Sequence, residues 1–122
     1  MADSSQAFDD ALQNAVQLHA AGNVDQAIGL YRNLLNEHPD QPDLWHLLGV
    51  AANQKDDNKL AVQLITMALS IKNDVADYHN NLGVAQRGLG QEEAAEQSFR
   101  SAIRLNPRHP KALSNLASAC RH

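Results

Sequence analysis

Apolar residues recur at intervals of three and four along most of the chain, and alternating β-branched runs are absent. This spacing places the apolar side chains on one face of an α-helix. In the first part of the chain the pattern predicts helices over 6–20 and 24–38, joined by a short polar turn. The same arrangement returns over 76–89 and 92–105. The pattern therefore predicts an all-α protein built from helix-turn-helix pairs.

The predicted helix boundaries carry their own start and stop signals. Gly22 and Gly90 follow directly after a helix, where the chain needs a left-handed residue, and Asp56 holds the matching place between them. Pro42 and Pro110 stand at the first helical position, where a missing N–H is harmless. These signals divide the chain into units of equal length.

Small residues repeat every 34 positions. One column consists of Ala15, Gly49, Gly83 and Ala117, and a second consists of Ala27, Ala61 and Ala95. A period of this length is typical of stacked repeats, in which each unit packs only against its neighbours. Function is therefore expected on the surface of the stack rather than in a catalytic pocket.

The order W-x2-L-G, Ala, a large residue, Ala and Pro resembles the tetratricopeptide repeat. The second block matches at Trp45, Leu48, Gly49, Ala61, Ile65 and Ala68, and the third at Leu82, Gly83, Gly90, Ala95, Phe99, Ala102 and Pro107. The first block is looser, since Ala11, Asn14 and Ala15 replace the large residue, the Leu and the Gly. The resemblance implies a right-handed superhelix in one domain over 1–122. Its units are 8–41, 42–75 and 76–109, with a half unit or capping helix at 110–121.

The small columns are expected to let the two helices of a unit approach closely, because facing positions without bulk permit a short interaxial distance. Gly83 is therefore expected opposite Ala95, and Gly49 opposite Ala61. Larger side chains such as Phe99 are expected to fill the space between successive units.

The resemblance implies that the first helix of each unit lines a concave groove. With 8, 42, 76 and 110 as first positions, groove residues are expected at positions 2, 5, 6, 9, 12 and 13 of each unit. The candidates are Asp9, Gln13, Val16, Asp43, His46, Leu47, Val50, Asn53, Asp77, Asn80, Asn81, Val84, Arg87 and Asn115.

These residue types suit a peptide ligand. Asn and Gln amides both donate and accept, so they can pair with the backbone of an extended segment. Val16, Val50 and Val84, which we call the valine column, offer an apolar surface for a side chain of the ligand. Simpler interpretations stay open: Asn81 and Asn115 can be solvated helix residues, and an Asp in a first turn favours the helix dipole without any ligand.

Composition and charge exclude other classes. The 122 residues are 43% hydrophobic with a mean hydropathy of -0.43, and no run of about 18 apolar residues is present to insert into a membrane. Residues 1–41 hold six acids and one base, whereas 110–122 hold two bases and no acid. This gradient lacks the continuous basic track that nucleic acid requires. A single cysteine and an N-terminus without a secretory pattern predict a cytoplasmic protein.

Three functions are compatible with the sequence. The first is a non-catalytic scaffold that binds a protein or peptide in its groove, without cofactor or metal, since no phosphate loop, metal motif or catalytic set is present. The second is a substrate-recruiting arm of a larger enzyme, because HLLGV at 46–50 and HNNLG at 79–83 look like repeat arms of glycosyltransferases or sulfotransferases, including those similar to O-GlcNAc transferase. The third is self-assembly through the last helix, with Leu113, Leu116 and Cys120 as the homodimer contact.

The resemblance also suggests one ligand class that the residues argue against. Chaperone-binding members of this family hold a C-terminal carboxylate with lysine, arginine and asparagine side chains. The corresponding places here are Leu12, Val16, Leu47, Asp77 and Asn81. A carboxylate is therefore not expected at this place, because cations are missing and Asp77 repels it.

Overall fold

The computed structural model describes residues 4–119, and these residues form seven α-helices and no strand. The helices are α1 (Ser4–Ala20), α2 (Val24–Glu37), α3 (Pro42–Gln54), α4 (Asn58–Ile71), α5 (Ala76–Gly88), α6 (Glu92–Leu105) and α7 (Pro110–Ala119). The prediction of an all-α fold of helix-turn-helix pairs is confirmed. Within the described range, no helix is both long and apolar enough to cross a membrane.

The helices stack in chain order. Helix α1 packs on α2, α3 on α4 and α5 on α6, and the second helix of each pair packs on the first helix of the next. First helices also touch one another, α3 with α5 and α5 with α7. Helices α3, α5 and α7 begin at the first positions of the units, whereas α1 begins at Ser4, ahead of position 8.

The core consists of a few large side chains set among alanines. Tyr31, Tyr78, Phe99, Leu44 and Ile65 are the largest side chains that are fully buried. Burying a large apolar side chain contributes about 1.5–3 kcal/mol. Because each unit supplies such residues to its neighbours, the stack is stabilised along its whole length.

The turns that close the three helix pairs share one backbone conformation. Gly22, Asp56 and Gly90 have φ values of +92°, +63° and +79°, all in the left-handed region. In the middle turn the N–H of Asp57 donates to the carbonyl oxygen of Ala52 at 2.9 Å, and the other two turns make the equivalent bond. The predicted helix stops are thus confirmed, including the one that lacks glycine.

Replacing Asp56 by glycine is expected to raise the free energy of unfolding by about 1 kcal/mol. A left-handed conformation costs a residue with a Cβ about 1–2 kcal/mol, and the extra freedom of glycine in the unfolded chain offsets part of this gain. Urea denaturation measures the change. Gly90→Asp is the matched control, since no atom lies within 4 Å of a Cβ at Gly90, and it should destabilise by a similar amount. An Asp56→Gly variant no more stable than the wild type contradicts this account.

The glycines on the first helices make room mainly for a large side chain of the second helix in the same unit. A Cβ at Gly83 would lie 2.5 Å from Cε1 of Phe99, and a Cβ at Gly49 would lie 2.6 Å from Cγ1 of Ile65. The ring of Phe99 is thus the nearest neighbour of Gly83, where Ala95 was expected, whereas the backbone oxygen of Ala61 lies 3.3 Å from a Cβ at Gly49, as expected for that pair. Phe99 and Ile65 cover the glycines of their own units, and Ile65 also packs with Tyr78 of the next unit, as expected for a residue between units.

Candidate binding groove

A pocket of about 380 Å³ opens where α5 and α7 meet. Its lining consists of Asn80, Asn81, Val84, Pro110, Lys111, Ser114 and Asn115. We call it the α5–α7 pocket. The structure thus brings four of the candidate groove residues together at one place, and the other candidates lie elsewhere on α1, α3 and α5.

Three lining residues were missing from the candidate set. Lys111 and Ser114 stand at positions 2 and 5 of the half unit, so the repeat register was a signal that could have found them. Pro110 was assigned only to helix initiation. Its ring adds an apolar wall to the pocket at the place where α7 begins.

Solvent reaches all three valines of the column. Val16 is 39% exposed, and Val50 and Val84 are half-buried. Leu47 is also half-buried and packs against the core cluster of the first units. The column is therefore accessible along its length, with Val84 in the α5–α7 pocket.

Two of the carboxylates at position 2 are engaged by side chains that lie outside their own helix. Asp43 accepts a hydrogen bond from the hydroxyl of Tyr78, and Asp77 lies 2.6 Å from Nε2 of His109. Burial, together with the hydrogen bond to Asp43, raises the pKa of Tyr78, so this hydroxyl stays protonated and donating. Asp9 is exposed. The acidic column thus joins unit 42–75 to unit 76–109 at Asp43 and ties α5 to the start of α7 at Asp77, a role that the sequence did not indicate.

His109 fastens α7 to α5. The residue is 6% exposed and directly precedes α7. Its Nδ1 accepts the backbone N–H of Ala112 at 3.1 Å. The proton of the neutral ring is therefore on Nε2, which donates to Asp77. Sequence reasoning missed His109, because only the fold brings it to Asp77.

The amides of the groove are bonded to one another. Asn80 is 2% exposed, its Oδ1 accepts from Nδ2 of Asn115 at 2.9 Å, and its Nδ2 donates to Oδ1 of Asn81 at 3.3 Å. The prediction that Asn80 is a ligand contact is corrected, since burial leaves it to support the exposed parts of Asn81 and Asn115. Each of these two amides keeps one N–H and one oxygen lone pair for a further partner.

Charged and aromatic groups flank these amides. Arg87 donates to Oδ1 of Asn115 at 3.2 Å, and its guanidinium carbon lies 5.4 Å from the centre of the Phe99 ring. His46 lies 2.8 Å from Nδ2 of Asn81 through its Nε2. Burial lowers the pKa of His46, while the nearby carboxylates of Asp77 and Asp43 act in the opposite direction.

Near α1, the candidate groove residues are bordered by bonds between the first helices. Gln13 is exposed there. His19 bonds to the hydroxyl of Tyr31 at 2.9 Å and also to Gln54, which ties α1 to α3. Among the described residues, Oδ1 of Asn53 is buried without a hydrogen-bond partner.

His79 does not join His46 in the groove. Its Nε2 lies 2.9 Å from the carbonyl oxygen of Asn73, in the turn before α5. Within 4–119, no three side chains that bind metals come together.

Only two of the three residues of the predicted dimer contact lie within the described residues. Leu113 is 44% exposed and Leu116 is half-buried on α7, whereas Cys120 lies outside the described residues. The homodimer through this helix stays a prediction.

The repeat pattern can now be compared with known families. A tetratricopeptide-repeat model matches residues 18–82, which is more than half of the chain, and a second model of this repeat matches residues 76–109. This chain belongs to the tetratricopeptide-repeat family.

Relatives of this tetratricopeptide-repeat chain include far longer proteins. Tetratricopeptide repeat protein 7A of Homo sapiens is 28% identical over 89 residues, a match that covers 73% of this chain and 10% of that protein. An O-GlcNAc transferase mutant from Thermobaculum terrenum has a TM-score of 0.93 and 27% identity, and the match covers 98% of this chain and 23% of that one. The chain thus spans only a minor part of both.

A third similar structure is a domain of comparable size. The first TPR domain of Spaghetti (RPAP3), solved with the HSP90 peptide SRMEEVD, has a TM-score of 0.88 and 19% identity. The match covers 94% of this chain and 91% of that one. At this identity the likeness shows the tetratricopeptide-repeat fold alone.

Proposed function

We propose that this chain is a non-catalytic protein-interaction module whose groove binds an extended segment of a partner protein. The α5–α7 pocket is the observation that carries the proposal. It combines an apolar wall of Val84 and Pro110 with the amides of Asn81 and Asn115 and the exposed ammonium of Lys111. Such a mixture fits a peptide, which offers backbone donors and acceptors together with apolar side chains.

The amide chemistry favours backbone recognition. Asn81 and Asn115 each retain one donor and one acceptor beyond their bonds within the chain. A peptide group in an extended segment presents the complementary acceptor and donor regardless of its side chains. Affinity would then come from the backbone, and selectivity from the side chain that lies against Val84.

The comparison with Spaghetti supports peptide binding by this fold without naming the partner. That domain was solved with a bound HSP90 peptide. In the present chain Asp77 and Leu47 stand where a cationic carboxylate clamp would be needed, so we propose a different peptide class for this groove.

The proposal predicts that Val84→Glu abolishes peptide binding while the helices remain folded. A library of random peptides is displayed on phage, selected against the wild-type chain, and the enriched peptides are measured by isothermal titration. Glutamate on the half-buried pocket wall replaces apolar contact with a charge, and we expect affinity to fall at least about tenfold. Circular dichroism checks that helicity is unchanged.

Met67→Glu is the matched control for this experiment. Met67 is 43% exposed on α4, a second helix that contributes nothing to the α5–α7 pocket. The same charge there should leave peptide affinity within about twofold of the wild type. If the selected peptides bind Val84→Glu as well as they bind wild type, the groove is the wrong face.

A second function is favoured by the transferase comparison. The Thermobaculum terrenum enzyme contains a region that matches 98% of this chain at 27% identity. In this alternative the groove recruits the substrates of a larger enzyme. The natural open reading frame distinguishes the two, since an arm requires a catalytic region encoded in the same frame.

A further inference from the structure

Five side chains form one continuous series of hydrogen bonds across α3, α5 and α7. Arg87 donates to Oδ1 of Asn115 at 3.2 Å, and Nδ2 of Asn115 donates to Oδ1 of Asn80 at 2.9 Å. The series continues from Nδ2 of Asn80 to Oδ1 of Asn81 at 3.3 Å, and from Nδ2 of Asn81 to Nε2 of His46 at 2.8 Å. We call it the Arg87–His46 chain. Its three asparagines all line the α5–α7 pocket.

The direction of the Arg87–His46 chain is fixed at one end. A guanidinium has donors and no acceptor, so Asn115 must turn its oxygen toward Arg87. The nitrogen of Asn115 is then the group that faces Asn80, and each following amide passes on a donor in the same sense. At the other end, Nε2 of His46 must accept. The ring of His46 is therefore neutral, with its proton on Nδ1.

We propose that His46 sets the hydrogen-bond polarity of the α5–α7 pocket. A proton on Nε2 of His46 places a hydrogen-bond donor at both ends of the Arg87–His46 chain. One hydrogen bond within the Arg87–His46 chain must then break. The longest link joins Asn80 to Asn81. The amide of Asn81 turns over there, so that its oxygen accepts from His46 and its nitrogen takes the former place of the oxygen.

The surroundings of His46 determine when this happens. Its ring centre lies 4.6 Å from that of Tyr78, whose hydroxyl donates to Asp43. The charged groups that act on it are Asp43 from its own helix and Asp77 from α5, and both attract the proton. Burial outweighs them and lowers the pKa of His46. The neutral ring thus persists at neutral pH, and mild acid supplies the proton.

This inference deepens the proposed function and rests on it for its effect on a ligand. A ligand group paired with Asn81 at neutral pH faces the wrong partner after the amide turns over. Peptide affinity is therefore expected to fall in mild acid, and less so in a variant without a titrating group at position 46. The turn itself occurs in the free protein, so it is measured without any ligand.

The experiment is a pH titration of the ¹⁵N-labelled chain by NMR, from about pH 7.5 to about pH 5. It follows the ring nitrogens of His46 and the side-chain amides of Asn81 and Asn115. At the upper pH, Nε2 of His46 is expected to carry no proton. On acidification the Asn81 amide should shift with the same midpoint as His46, below the ordinary value of 6.5. In His46→Phe this shift should vanish.

A substitution at Asn81 tests, without acidification, whether the orientation of this side chain and the protonation of His46 depend on each other. In Asn81→Asp the carboxylate can only accept, so it favours the protonated ring, and the His46 midpoint should rise by at least about one pH unit. Ser114→Asp is the control, because Ser114 lines the same pocket but takes no part in the Arg87–His46 chain. It should move the midpoint by less than half as much.

Three results would overturn the inference. They are a protonated Nε2 at neutral pH, an Asn81 amide that does not respond to the His46 titration, and an Asn81→Asp midpoint no higher than that of the wild type. None of these depends on a ligand. If the NMR results are as expected but no peptide binds the groove, the proposed function fails and the polarity of the pocket stands.

Discussion

Replacing Gly83 by leucine is expected to lower the free energy of unfolding by about 3 kcal/mol or more. A Cβ at this position already lies 2.5–2.9 Å from three atoms of the Phe99 ring. Phe99 is fully buried, so its ring has no free space to enter, and overfilled cores typically lose 1–3 kcal/mol or more. Urea denaturation followed by circular dichroism measures the loss. Since a small helical array is only marginally stable, much of the chain should be unfolded without denaturant.

Two alanine substitutions separate the clash from the change in helix propensity. Gly83→Ala gains up to about 1 kcal/mol of helix propensity but still meets the ring, so a net loss is expected. Gly29→Ala gains the same propensity within α2, where no atom lies within 4 Å of a Cβ, and should stabilise the chain. If both variants are stabilised to the same extent, the packing of α5 against α6 does not require a residue without a side chain at position 83.

The stacking of the helices was predictable because it depends on residue size and turn chemistry. A left-handed turn needs Gly or a tolerant residue, and this requirement located the turns at Gly22, Asp56 and Gly90. The small column located the close approach within each unit. Only the nearest neighbour of Gly83 differed from the expectation, since periodicity alone does not tell whether Phe99 or Ala95 lies nearer to this glycine.

The side-chain bonds between units were not predictable from the sequence. Tyr78 with Asp43 and Asn81 with His46 are both pairs separated by 35 residues, which is one repeat plus one position. Such pairs depend on how consecutive first helices are placed relative to one another, and the pattern of apolar residues contains no information on that placement. The groove residues thus stay a prediction from the repeat register, whereas the partners that orient them came only from the structure.

These bonds change what the groove offers to a ligand. Asp43 and Asp77, which as free side chains would form an acidic edge, are engaged by Tyr78 and His109. The unengaged capacity is concentrated at Asn81 and Asn115 in the α5–α7 pocket. A ligand of this groove is therefore expected to depend on α7, the last described helix, which packs mainly on α6.

Replacing His109 by alanine is expected to detach α7 locally at a cost of about 2–4 kcal/mol. The substitution removes the side chain that caps α7 through Ala112, worth about 0.5–2 kcal/mol, and the bond to the carboxylate of Asp77, worth about 1.5–3 kcal/mol. Native-state hydrogen exchange measures the result. Amides of α7 should lose protection, whereas those of α3 and α4 should keep it, because the last helix can open without the rest of the stack.

Two conservative substitutions divide this effect into its parts. In His109→Asn the short amide can still accept the N–H of Ala112 but does not reach Asp77, so about half of the protection should remain. In Asp77→Asn the amide oxygen still accepts from Nε2 of His109, and the loss should stay below about 1 kcal/mol. Equal protection of α7 in His109→Ala and in the wild type would show that packing on α6 alone holds the last helix. The α5–α7 pocket would then not depend on His109 for its formation.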